Sequence, residues 1–335
     1  MKQTFFSAWV LSLLVMLLST ITLYGGYRYL IFTALDDTAL GYEFSVSKGS
    51  GLKQIAAQLS EKELIRSALG FEIYARLQGR SNQLQSGEYS LTAAMSSEQI
   101  LARLVSGEVV RYTITVPEGK RFADFWQLLR EHPKIIPALA NPLALAQELG
   151  LTDVSQLEGQ FLPETFSFIA GTEDRHIFAQ SYQLMQRYVN QRWQQWGQQS
   201  ALKSAQEVLI LASIIEKETA LRSEQPRIAG VFLNRLKRGM RLQTDPTVIY
   251  GLGDDYQGDI KYEHLRRDTP YNTYTRSGLP VTAIALAGRH AIDAVLQPQQ
   301  HEELYFVSRG DGSHVFSKSY EEHQQAVNKY QPKRK

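Results

Sequence analysis

The run Glu207-Val208-Leu209-Ile210-Leu211-Ala212-Ser213-Ile214-Ile215-Glu216-Lys217-Glu218-Thr219-Ala220 is apolar for most of its length and closes on two acids separated by a lysine. It reads as a helix from Glu207 to Ala220. At about 100° per residue, Glu218 falls on the line of Leu211, Ile214 and Ile215, whereas Glu216 points roughly 160° away with Ser213 and Lys217. One acid is thus expected against an apolar surface and the other in solvent. A carboxyl held against hydrocarbon loses hydration of its charged form, so its pKa rises towards values that allow proton donation near neutral pH. Cleavage of a glycosidic bond requires such a donor. A glutamate near a helix end is, however, more often a boundary residue with its head in water, and this helix alone does not decide between the two.

Outward from this helix, Ser223 is a candidate N-cap for a second helix with an inward stripe of Ala229, Phe232 and Leu236, and Gly239 suits the C′ position. Arg235, Lys237 and Arg238 near its end suit the helix dipole. The loop Leu242-Gln243-Thr244-Asp245-Pro246-Thr247 then crowds amide, hydroxyl and carboxylate groups around a fixed proline kink. Such a loop can hydrogen-bond a sugar, or it can satisfy itself as a cap or turn. Farther on, Tyr271 and Tyr274 of Thr269-Pro270-Tyr271-Asn272-Thr273-Tyr274 combine apolar faces with polar tips, as carbohydrate contacts do. Leu304 to Val307 and Gly310 to Phe316 read as a hairpin, and His314 and His323 are either site residues or, as is more usual, surface or core residues.

Composition narrows the classes. With 335 residues the chain can hold two small domains or one medium domain with appendages. Its 36 basic and 34 acidic residues give a formal charge of +2, which argues against nucleic acid as a partner. Zero cysteines exclude disulfides, thiolate metal sites and cysteine nucleophiles, and the seven histidines lack close ligand spacing, so neither a metal nor another cofactor is expected.

Between Gln3 and Tyr27 no residue is charged, and a helix of that length spans roughly 37 Å, enough for a bilayer. Without a convincing small-x-small cleavage site, the segment reads as an uncleaved anchor in the lipid bilayer with the bulk of the chain outside. Next, Tyr42 to Val46 alternates as a strand, Leu52, Ile55, Ala56 and Leu59 recur at helical spacing, Ala68 to Gln78 reads as a helix and Gly87 to Leu91 as a strand. This is a β-α-α-β unit. Ser96 and Gln99 stand in a capping-box relation, Gly107 ends that helix, and Val109 to Val116 has strand character. Phe122 to Gly150 reads as proline-punctuated helices, and a long helix is predicted over His176 to Gly197.

Phe232-Leu233-Asn234-Arg235-Leu236, Gly239 to Gly251, Ile215 to Thr219, Val116-Pro117-Glu118-Gly119 and the Thr269 to Tyr274 block together resemble the YceG-like endolytic murein transglycosylases, and the chain looks like a proteobacterial member. The resemblance covers nearly the whole chain. It departs from the common pattern at Val281 to Gly288 and at Glu164, where aspartate is more usual.

The resemblance implies an α+β architecture: a short cytoplasmic tail (1–7), a transmembrane helix (8–31), a LysM-like domain (41–108), a connecting region (109–150) and a mixed α+β catalytic domain (151–330). It implies a single-pass inner-membrane protein with a periplasmic catalytic domain. It assigns Glu218 as the catalytic acid and Asn234, Gln243, Thr244, Asp245, Tyr271, Asn272 and Tyr274 as substrate-binding residues. The implied partners are peptidoglycan glycan strands and, from the membrane location, cell-wall synthases of the penicillin-binding class. A tethered glycan-binding scaffold and an ordinary muramidase remain as alternatives, as does a pure spacer role for the small β-α-α-β unit.

Overall fold

The computed structural model describes residues 2–35 and 41–331. The chain divides into two compact units, 1–112 with 167–171 and 113–166 with 172–335.

The first unit opens with helix α1 (Lys2–Phe32). Its portion Trp9–Phe32 has a mean hydropathy of 1.8 and is long and apolar enough to cross a membrane. The last turn of α1 leaves that role, because Ile31 is 1% exposed and joins the core of the unit. After it come β1 (Gly41–Val46), α2 (Leu52–Glu61), α3 (Ala68–Leu77), β2 (Gly87–Thr92) and α4 (Ser97–Ser106). β1 and β2 pair antiparallel with Phe44 opposite Tyr89, and both rings sink into the core with Ile55, Leu59 and Phe71. The β-α-α-β order read from the sequence is therefore present. Local chemistry sets the start of α4: the Ser96 hydroxyl accepts from Gln99 N–H at 3.2 Å, and the Gln99 amide accepts from Ser96 N–H at 2.8 Å. Gly107 ends the helix at φ 69°, the left-handed region that glycine enters without strain.

β3 (Arg111–Thr115) carries the chain to the second unit, where α5 (Phe122–Arg130), β4 (Ile135–Ile136) and α6 (Pro142–Glu148) follow. β5 (Thr165–Ile169) pairs with β3, and β6 (Thr172–Glu173) runs parallel to β4. Phe122 and Phe125 of α5 meet Phe161 and Phe178 with ring centroids 4.8–6.0 Å apart, an aromatic cluster that fixes α5 against the next helix. That helix is α7 (Asp174–Trp196), two residues earlier in its start than the sequence pattern suggests.

α8 (Ala205–Glu218) lies at the middle of this unit, packed by α7, by α9 (Gln225–Lys237), by α10 (Asp245–Leu252) and by α12 (Arg289–Leu296). Every side chain from Val208 to Ile215 is buried, Ser213 included. The apolar departure Val281 to Gly288 has a structural use here. Ala283 to Ala287 are all buried, and Ile284 N–H donates to Ser213 Oγ at 3.0 Å, which satisfies the one hydroxyl within this buried stretch of α8. The short α11 (Tyr262–Arg266) precedes this segment. A hairpin of β7 (Tyr305–Ser308) and β8 (His314–Ser317), followed by α13 (Tyr320–Tyr330), completes the unit.

Two local expectations are corrected. The residue before α9 is Glu224 in a helical conformation, so Ser223 is not its N-cap, and the Glu224 side chain instead turns to His314. Glu216 does not stand in solvent. Its carboxylate accepts from Gly288 N–H at 2.9 Å, and its pKa is raised by burial and by the nearby Glu118. The helical wheel misleads here because the backbone at Gly288 covers this side of the helix end, while the neighbouring Lys217 does reach solvent.

Candidate active site

Helix α8 ends at Glu218 because Thr219 is extended, at φ −144° and ψ 135°. The last helical side chain is thereby released over the end of the core. Glu218 is partly exposed and lines a cleft of about 680 Å³ that it shares with Arg235, Gln243, Asp245, Tyr274, Tyr305 and His314, among others.

The loop before α10 meets this carboxyl through an ordered set of bonds. Gln243 adopts φ 49°, an uncommon conformation for a residue with a side chain, and its N–H donates to Thr273 O at 3.2 Å. Thr244 follows, 2% exposed, with its N–H on Thr273 Oγ1 at 3.1 Å and its carbonyl accepting from Thr247 Oγ1 at 2.7 Å. With its backbone fixed on both sides, Thr244 directs its hydroxyl to Glu218 Oε2 at 2.8 Å. Asp245, the first residue of α10, accepts from Tyr274 Oη at 2.6 Å.

Burial dominates the proton affinity of Glu218 and pushes its pKa from 4.5 up to about 7. The Thr244 hydrogen bond opposes this, the Asp245 charge adds to it, and His314 and Arg235 favour the ionised form. The carboxyl is therefore poised to hold a proton near neutrality and to exist as carboxylate once that proton is given away.

Gln243, Thr244, Asp245 and Tyr274 converge on Glu218; the other residues expected to bind substrate do not. Asn234 donates its amide to His301 O at 2.8 Å and Glu303 O at 3.2 Å, tying α9 to the strand entry. Asn272 is 1% exposed, and its amide donates to the carbonyls of His264, Leu265 and Arg267. Its Oδ1 accepts from Tyr274 N–H at 2.8 Å, so it positions Tyr274 without reaching the cleft. Tyr271 packs on Tyr250 at 4.7 Å and shares a hydrogen bond with Thr282. These three residues build the walls from behind.

Arg235, Tyr305 and Phe306 line the cleft although nothing in the sequence singles them out, and His314 and His323, which the sequence leaves open between site and structural roles, line it as well. Arg235 carries no sequence signal beyond its place at a helix end, and the histidines come from a hairpin and helix far along the chain, so only folding brings them to Glu218.

The sequence model of the YceG-like family matches residues 44–329. The chain belongs to the YceG-like family. It is 31% identical over 327 residues to the endolytic murein transglycosylase of Bacillus subtilis (strain 168), across 92% of this chain and 89% of that protein. The protein of that name from Streptococcus pneumoniae serotype 2 is 28% identical over 362 residues, covering 96% of this chain and 64% of the longer relative. A crystal structure of a YceG-like protein from Listeria monocytogenes matches with a TM-score of 0.54 at 28% identity, over 86% of this chain and 100% of that one. The proteobacterial expectation gains no support from these relatives. In this YceG-like chain Glu216 faces Gly288 and not the cleft, so Glu216→Gln, which keeps an acceptor oxygen, is expected to retain the rate within about threefold when initial rates of glycan cleavage are compared.

Proposed function

We propose that this chain is a membrane-anchored endolytic lytic transglycosylase, a lyase that cleaves the bond between N-acetylmuramic acid and N-acetylglucosamine inside peptidoglycan strands. The observation that carries this reading is Glu218, half-buried at a cleft and held by Thr244, with a pKa pushed up to about 7. Protonated Glu218 gives its proton to the glycosidic oxygen as the bond to C1 breaks. The resulting carboxylate takes the proton of the muramic acid 6-hydroxyl as that oxygen closes on C1. The product is a 1,6-anhydro end, and no water is consumed.

Most glycosidases divide this work between two carboxylates. Asp245, the other carboxyl on the cleft, is engaged by Tyr274, which leaves Glu218 to give and to recover the proton in turn. Gln243, Asp245 and Tyr274 are the polar groups available to a sugar on this side, with Thr244 behind them holding Glu218. Helix α1 supplies the anchor, the remaining bulk is periplasmic, and the LysM-like unit (41–108) precedes the catalytic domain (151–330). The family resemblance supports peptidoglycan strands as the partner of the small unit and penicillin-binding synthases as partners of the whole. Cleavage then serves to end the elongation of new strands.

The test is the length distribution of purified glycan strands incubated with the full-length protein in detergent micelles. Internal cleavage is expected to shorten the mean strand early, while few disaccharides appear. Steady release of disaccharides from intact strands would overturn the endolytic reading, and binding without cleavage would favour the scaffold.

A further inference from the structure

His314 lines the cleft and pairs with Glu224 behind it, and the chemistry above uses neither. The Glu224 carboxylate accepts twice from one residue, from His314 N–H at 3.1 Å on Oε1 and from ring Nδ1 at 2.7 Å on Oε2. Their side chains are 11% and 17% exposed. A carboxylate offers only lone pairs, so Nδ1 carries the hydrogen, and in the neutral ring Nε2 keeps its lone pair as an acceptor. Phe306 packs against the imidazole in an edge-on arrangement, with centroids 5.4 Å apart, and holds its plane. The ring lines the same cleft as Glu218. Among the described residues Nε2 has no hydrogen-bond partner, yet it is not one of the atoms sealed from solvent. The hairpin does not need this contact for its register, which backbone pairing sets from Tyr305 opposite Ser317 to Ser308 opposite His314.

We propose that His314 orients the substrate: its Nε2 accepts a hydrogen bond from a hydroxyl or acetamido N–H of a sugar flanking the scissile bond, while Glu224 is the positioning residue that fixes the tautomer and plane of the ring. This rests on the reading of Glu218 as the acid acting on a glycan. A sugar pinned at one edge by His314 presents its glycosidic oxygen to Glu218 in a fixed attitude. Such a contact acts mainly on kcat where it tightens in the transition state.

Two isosteric substitutions separate this role from a structural one. In His314→Asn the amide nitrogen takes the place of Nδ1 and keeps the bond to Glu224, but nothing stands at Nε2. In His314→Gln the amide reaches the Nε2 position and the Glu224 bond is lost. With the full-length protein and purified glycan strands, His314→Asn is expected to lower kcat about 100-fold with KM changed less than about threefold, and His314→Gln to stay within about tenfold. The reverse order, or a folded His314→Asn with full kcat, would overturn the proposal. An independent reading that does not depend on the folding of a His314 variant is the ¹⁵N resonance of His314 Nε2 in histidine-labelled Glu218→Gln protein. A shift towards the hydrogen-bonded position on adding glycan fragments is expected, and an unmoved resonance at saturating fragment would overturn the proposal. If Glu218→Gln itself retained full activity the proposed function would fail, whereas an active His314→Asn beside an inactive Glu218→Gln would defeat this inference alone.

Discussion

Glu218→Gln is expected to lower kcat/KM for glycan cleavage by about a thousandfold or more, within the range that general acid–base groups contribute, while the protein stays folded. Gln accepts the Thr244 hydroxyl in nearly the same place but has no proton to give and cannot take one back. The wild-type enzyme should itself lose kcat/KM above about pH 7, as Glu218 ionises before substrate arrives. The sign of the stability effect follows from the same shift. The folded state holds its proton up to about pH 7 and the unfolded chain only to about 4.5, so folding is favoured at low pH and that advantage is lost as pH rises through 7. The shift corresponds to at most about 3 kcal/mol. The melting temperature of Glu218→Gln should therefore exceed that of wild type by more at pH 8 than at pH 4.5; scanning calorimetry at the two pH values checks this. A gap independent of pH would mean that the carboxyl is not held protonated by burial.

Arg235→Met should be the most damaging substitution for stability among the cleft residues. Arg235 is 8% exposed and donates from Nε to Leu304 O at 2.6 Å, and from Nη1 to Leu242 O at 2.7 Å and to Arg241 O at 3.3 Å. Its guanidinium also lies 5.1 Å from the centre of the Tyr305 ring. One side chain thus ties the loop that delivers Thr244 to the strand that carries the opposite wall. Methionine fills much of the volume but leaves carbonyls without donors, at an expected cost of about 3–5 kcal/mol by chemical denaturation. Activity should fall as well, because both walls of the cleft lose their common tie. Arg235→Lys should recover part of the stability, since one ammonium cannot reproduce the planar fork. If Arg235→Met denatured at the wild-type midpoint, the guanidinium would not be the tie described here.

What could be read from the sequence follows the range over which each feature is determined. The Ser96–Gln99 cap of α4 and its Gly107 stop are settled within a turn of chain, and both were visible. The apolar run of α8 marks a buried helix, and its final acid proved to face the cleft. The surroundings of Glu216 are not legible in the helix because periodicity gives a direction and not what covers it, and here the distant backbone at Gly288 takes its carboxylate. Asn234 and Asn272 illustrate another limit. A polar residue in a motif can bind a ligand or bind the carbonyls that shape the pocket, and residue type alone does not tell these apart. Arg235 carries no site signal and His314 only an undecided one for a third reason, since their functional neighbours are set by tertiary contacts with distant residues.

The most direct measurement of the central claim is cleavage of glycan strands in H₂¹⁸O, followed by mass spectrometry of the new ends. If Glu218 returns the proton balance through the substrate's own 6-hydroxyl, the new muramic acid ends should carry the anhydro mass and no ¹⁸O. Reducing ends labelled with ¹⁸O would show that water is the nucleophile and would contradict the account.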